Sequence, residues 1–72
     1  LNILIMAKIQ LNGRKLELSN TYTIATLLKK YKINDKKIAV ELNNKIVNRN
    51  TYKLIYIKNK DKIEIVHFIG GG

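Results

Sequence analysis

Two alternating runs flank the dipeptide Asn12-Gly13, and no other feature of the chain restricts its fold so tightly. From Ala7 to Asn12, Ile9 and Leu11 share one side while Lys8 and Gln10 share the other. From Arg14 to Ser19, Leu16 and Leu18 face one way and Lys15 and Glu17 the opposite way. A period of two is the mark of a half-buried strand. Asn-Gly suits a two-residue connection, because both residues tolerate the positive φ of a type I′ turn. The spacing predicts an antiparallel hairpin with one apolar face.

The period then changes. Ile24, Leu27, Leu28 and Tyr31 fall at i, i+3, i+4 and i+7, the apolar stripe of a helix of about ten residues. Thr23 is the expected N-cap, with Thr21 as a competitor, and no glutamate stands where a capping box would use one. Lys29, Lys30 and Lys32 lie in or just past the last turn, where positive charge favours the helix dipole. Asn34 to Lys37 reads as a polar connection. Ile38 to Leu42 reads as a strand with Val40 and Leu42 on one face, and Asn43-Asn44 as a turn. Lys45 to Arg49 reads as a short partner strand carrying Ile46 and Val47. Asn50 to Ile57 fits two descriptions, a helical turn through Leu54 and Ile57 or a strand through Tyr52, Ile55 and Tyr56. After the charged turn Lys58 to Asp61, the last strand is expected over Lys62 to Phe68. It puts Ile63 and Ile65 on one face and Glu64, Val66 and Phe68 on the other.

A hairpin, one helix and three further strand segments imply an α+β domain whose mixed sheet of four to five strands carries the helix on one face. That is the β-grasp plan, with the first and last strands parallel at the sheet centre. The expected division is an extension over 1–5, a β-grasp domain over 6–69 and a flexible glycine arm over 70–72.

At 72 residues the chain has room for one small core, since domains of this size bury only about 60% of the surface of the unfolded chain. With no cysteine and one histidine, disulfides, thiolate metal sites and a cysteine nucleophile are excluded, and zinc would depend on a few scattered carboxylates. An enzyme with an internal active site is therefore not expected, nor a bound cofactor or metal. Lys and Arg number 14 against 5 Asp and Glu, a balance that permits a nucleic-acid partner. The excess is mostly lysine spread along the chain, and it accompanies many Asn and Ile. A/T-rich codons account for all three, as in an A/T-rich bacterium or a plastid. The expected compartment is accordingly the cytoplasm or the plastid stroma, and nucleic acid is not the expected partner. No segment approaches the roughly 20 apolar residues that span a bilayer.

The sequence finishes Gly70-Gly71-Gly72, three of its four glycines. Frayed termini are common, but a run of pure glycine directly behind a central strand also fits a narrow channel in a partner. Three extended residues reach about 10 Å. A terminal carboxylate is inert until activated. Adenylation with ATP makes it an electrophile, and a sulfur donor can displace AMP to leave a thiocarboxylate on Gly72. On this reading Gly72 is the carrier residue, Gly70 and Gly71 thread the partner's site, and partners perform the catalysis. Val66 and Phe68, joined by Val47 and Ala39 if those share the face, would make an exposed apolar docking patch. The alternative is that the domain itself covers them. His67 reads as structural, and Asp61 and Glu64 as solvated charges or as ion-pair partners for an adenylating enzyme.

Ile9-Gln10-Leu11-Asn12-Gly13, Ile38-Ala39-Val40-Glu41-Leu42-Asn43, Ile46-Val47 and above all Asp61 to Gly72 resemble the ThiS family, the ubiquitin-like sulfur carriers of thiamine thiazole synthesis. The resemblance covers essentially Met6 to Gly72. It implies adenylation by an E1-like enzyme, sulfur from a donor such as a cysteine desulfurase, thiocarboxylation at Gly72 and delivery to thiazole synthase. Two departures stand out: Lys60 where family members often carry glycine, and the aromatic stretch Tyr52 to Ile57. The rival readings are a molybdopterin synthase small subunit, a modifier conjugated to protein lysines and a basic RNA-binding module.

Overall fold

A computed structural model describes residues Met6–Phe68, so the expected extension at 1–5 and the arm at 70–72 lie outside the described residues. Strands β1 (Ala7–Leu11) and β2 (Arg14–Leu18) precede helix α1 (Ile24–Lys30), and β3 (Ile38–Leu42), β4 (Lys45–Ile46) and β5 (Lys62–His67) follow. Single 3₁₀ turns occupy Asp35–Lys37 and Arg49–Thr51. The strands form one five-stranded sheet in the order β2-β1-β5-β3-β4. β1 and β5 are parallel neighbours at its centre, and the other pairings are antiparallel.

Local chemistry sets both hairpins. Asn12 and Gly13 have φ of 50° and 81°, the expected left-handed pair, and Asn43 and Asn44 repeat the device at 52° and 71°. Asparagine visits this region more readily than other residues with a Cβ. A two-residue turn then fixes register, pairing Leu11 with Arg14 and Leu42 with Lys45.

Helix α1 lays Ile24, Leu27 and Leu28 on the sheet, where they are nearly inaccessible beside Ile9, Leu18, Ile38, Val40, Ile63 and Ile65. Its N-terminus is fully supplied with partners. The Thr23 hydroxyl accepts the Thr26 N–H at 3.1 Å, and the Thr26 hydroxyl accepts the Thr23 N–H at 2.8 Å. This is a reciprocal capping box in which a threonine hydroxyl performs the acceptor role expected of a glutamate. The Ile24 and Ala25 N–H groups donate to the carbonyls of Ile55 and Tyr52, each at 3.0 Å. Residues 52–57 are thus neither a strand nor a regular helix. Their carbonyls serve the first turn of α1, Tyr52 and Ile57 enter the core, and Tyr56 makes an isolated bridge with Thr23.

The helix ends sooner than the apolar stripe implies. Lys32 adopts φ 57°, Ile33 N–H donates to Leu28 C=O at 2.9 Å and Lys32 N–H to Lys29 C=O at 3.1 Å. These two bonds are the Schellman closure, with lysine where glycine is usual. Tyr31, the expected fourth member of the stripe, is the cap residue and stays 40% exposed.

Candidate functional site

β5 ends three residues before Gly70 in the sequence. Alternation sends Ile63 and Ile65 into the core beneath α1 and turns Glu64, Val66 and Phe68 to the sheet's uncovered face. Pairing with β3 sets Ala39 beside Val66 and Glu41 beside Glu64. Pairing of β4 with β3 sets Ile46 beside Glu41. Val66 is 51%, Phe68 59% and Ile46 78% exposed, an apolar grouping that nothing among the described residues covers. Within it, Glu41 and Glu64 stand directly opposite each other, a like-charge pairing that costs stability in a sheet. Lys62 offsets part of that cost through an ion pair with Glu64 at 3.3 Å.

Ala39, Val66 and Phe68 therefore share a face, and Val47 does not join them. It is half-buried against the core, with its N–H donated to the Val40 carbonyl at 2.9 Å. Ile46 takes its place. The signal was present in the sequence: a two-residue turn at Asn43-Asn44 pairs Glu41 with Ile46, and a strand neighbour of Ile46 must then face inward. Gly70, Gly71 and Gly72 lie outside the described residues.

Asp61 is structural at both oxygens. Oδ2 accepts the Lys58 N–H at 2.7 Å and Oδ1 the Asn43 side-chain amide at 3.0 Å, while Asn43 Oδ1 accepts the Lys62 N–H at 2.8 Å. This network ties the β3–β4 turn to the start of β5 and fixes the strand's origin. His67 is exposed near the other end of β5. Among the described residues no three His, Cys, Asp or Glu side chains gather as a metal site would require, and no helix is long and apolar enough to cross a membrane. An open hollow of about 870 Å³ lies over Lys8, Gln10, Lys15 and Glu17 of the β1–β2 hairpin, at the start of β5 rather than its end. At the described end of β5 the uncovered face is apolar, with Ala39 beside Val66 and both Val66 and Phe68 exposed.

The model of the ThiS family matches residues 3–72, a span that runs through the glycine arm. The sulfur carrier protein ThiS of Bacillus subtilis is 40% identical over 65 residues, 89% of this chain and 98% of that protein. A thiazole synthase of Paramagnetospirillum magneticum is 38% identical over 65 residues, 90% of this chain, which spans only 20% of that enzyme's length. The crystal structure of the thiamine biosynthesis protein ThiS from Geobacter metallireducens superposes with a TM-score of 0.80 at 25% identity, covering 90% of this chain and 99% of that one.

Proposed function

This chain belongs to the ThiS family, the sulfur carriers of thiamine biosynthesis, and from that membership we propose that the Gly72 carboxyl group is where it carries the sulfur. The observation that supports this most directly is a family match that continues through Gly70-Gly71-Gly72, behind a central strand with an uncovered apolar face beside it.

An E1-like adenylating enzyme first joins the Gly72 carboxylate to the AMP part of ATP, releasing pyrophosphate. Sulfide, released when a thiol reductant reduces the persulfide of a donor such as a cysteine desulfurase and is itself oxidised to a disulfide, then attacks the carbonyl carbon. The bond to AMP breaks, AMP leaves with the electron pair, and the thiocarboxylate remains. Gly70 and Gly71 thread the partner's channel, since they have no Cβ to obstruct close approach. Val66, Phe68, Ala39 and Ile46 form the docking face, and thiazole synthase receives the sulfur. The thiazole synthase that contains a stretch similar to this chain supports that last pairing. The carrier works in the cytoplasm or, in a plastid-bearing cell, in the stroma.

Deleting Gly71 and Gly72 tests the proposal. The truncated chain should keep its melting temperature and support no thiazole formation in a reconstituted system. Thiazole formation at the full-length rate would refute it.

A further inference from the structure

The two edges of β5 are paired unequally. On the β3 side the ladder runs from Leu42 opposite Ile63 to Ile38 opposite His67, and Phe68 N–H extends it to the Lys37 carbonyl at 3.0 Å. On the β1 side it covers only Gln10 opposite Lys62 and Leu11 opposite Ile63. Asn12 then closes it. Its N–H donates to the Ile63 carbonyl at 2.9 Å, and its side-chain Oδ1 accepts the Ile65 N–H at 2.6 Å. The hairpin turns away at Asn12-Gly13, so β1 goes no further.

Main-chain groups alternate sides along a strand. Lys62 and Phe68 bond towards β3, whereas Ile63 and Ile65 bond towards β1 and Asn12. The next groups on the β1 side are the Ile65 C=O and the His67 N–H. Among the described residues neither has a hydrogen-bond partner. The strand that leads to the glycine arm thus has half of one edge open, at its arm-side end.

An open edge is a template for another extended chain, because only polypeptide backbone offers N–H and C=O groups at strand spacing. Resting on the carrier reading above, we propose that the Ile65–His67 edge takes an extended segment of the adenylating partner, which adds a strand beside β5 and sets the direction in which the glycine arm enters the partner's site. The added strand lies next to Val66 on the uncovered face, so its residue there is apolar. Main-chain bonds of this number strengthen binding by about tenfold. That falls far short of holding a second copy of the chain, but it adds usefully to a partner already seated on Val66 and Phe68.

Amide hydrogen exchange of the full chain, free and bound to the adenylating enzyme with a non-hydrolysable ATP analogue, tests this. The His67 amide should exchange freely alone and slow at least tenfold in the complex, while the Ile65 and Phe68 amides are protected in both. A complex that shifts the Val66 and Phe68 resonances but leaves His67 exchange unchanged would overturn the inference and leave the carrier reading standing. Absence of both complex and thiocarboxylate would remove the carrier reading and this inference with it. Protection that rises with concentration in the free chain would reassign the edge to a second copy. As an independent check, His67→Pro removes the N–H on the open edge and leaves the β3-facing groups of Val66 and Phe68 in place. With its fold verified by its melting curve, it should bind about threefold more weakly than His67→Ala, which loses the same imidazole but keeps the N–H. Equal affinities would refute the strand addition.

Discussion

Replacing Lys60 with glycine should stabilise this protein. Lys60 sits at φ 73° in the turn Lys58-Asn59-Lys60-Asp61, which is closed by the Asp61 N–H donating to the Lys58 carbonyl at 3.1 Å. Asn59 is not among the residues of positive φ, so the third position alone is left-handed, the type II arrangement that favours glycine. A residue with a Cβ pays about 1–2 kcal/mol there. Glycine gives back about 0.4–1 kcal/mol through the greater freedom of its unfolded chain. The net gain is about 0.5–1 kcal/mol, and at about 4–8 °C per kcal/mol for a domain of this size the melting temperature rises by about 2–8 °C. The Lys60 N–H bond to the Lys8 carbonyl, 2.7 Å, is kept in the variant. Lys60→Ala is the control, since it removes the same exposed side chain and retains the strained backbone. Thermal unfolding followed by circular dichroism should place Lys60→Gly above both Lys60→Ala and the parent. If glycine melted level with alanine, or below the parent, the strain argument would be refuted.

Two further outcomes follow from the network at the start of β5 and from the uncovered face. Asp61→Ala removes the acceptor of the Lys58 N–H and of the Asn43 amide. At about 1 kcal/mol per bond it should cost about 2 kcal/mol in urea unfolding, with the slope of the transition unchanged. Val66→Asp, on a half-exposed position of a central strand, should cost about 1 kcal/mol, because aspartate fits a strand poorly. It should slow adenylation-dependent modification of Gly72 at least tenfold at low partner concentration, because it breaks the docking face rather than the fold.

Elements set by local chemistry were legible in the sequence, and elements set by a distant partner were not. The Asn12-Gly13 hairpin, β3 and β5 follow from alternation and from turn residues, and each stands within a residue or two of its expected limits. Residues 50–57 resisted assignment because their conformation answers to the N-terminus of α1, some thirty residues earlier, whose N–H groups take the Tyr52 and Ile55 carbonyls. Helical periodicity extended to Tyr31, but the left-handed Lys32 stopped the helix first, and a lysine there carries no warning of such a stop. On the uncovered face of the sheet Ile46 stands outside and Val47 inside, an order that follows from the hairpin register and not from Val47 alone. Lys60 resembles Lys32 in this. The sequence shows only a lysine in a charged turn, and the backbone shows that the position is left-handed.

Intact mass reads most directly whether Gly72 carries the sulfur. The full chain is incubated with ATP, an E1-like adenylating enzyme and sulfide, then weighed and fragmented. The expected mass gain is that of one oxygen exchanged for sulfur, located at Gly72 and absent when ATP is withheld. An unchanged mass, with the same enzyme active on another carrier, would contradict the carrier reading.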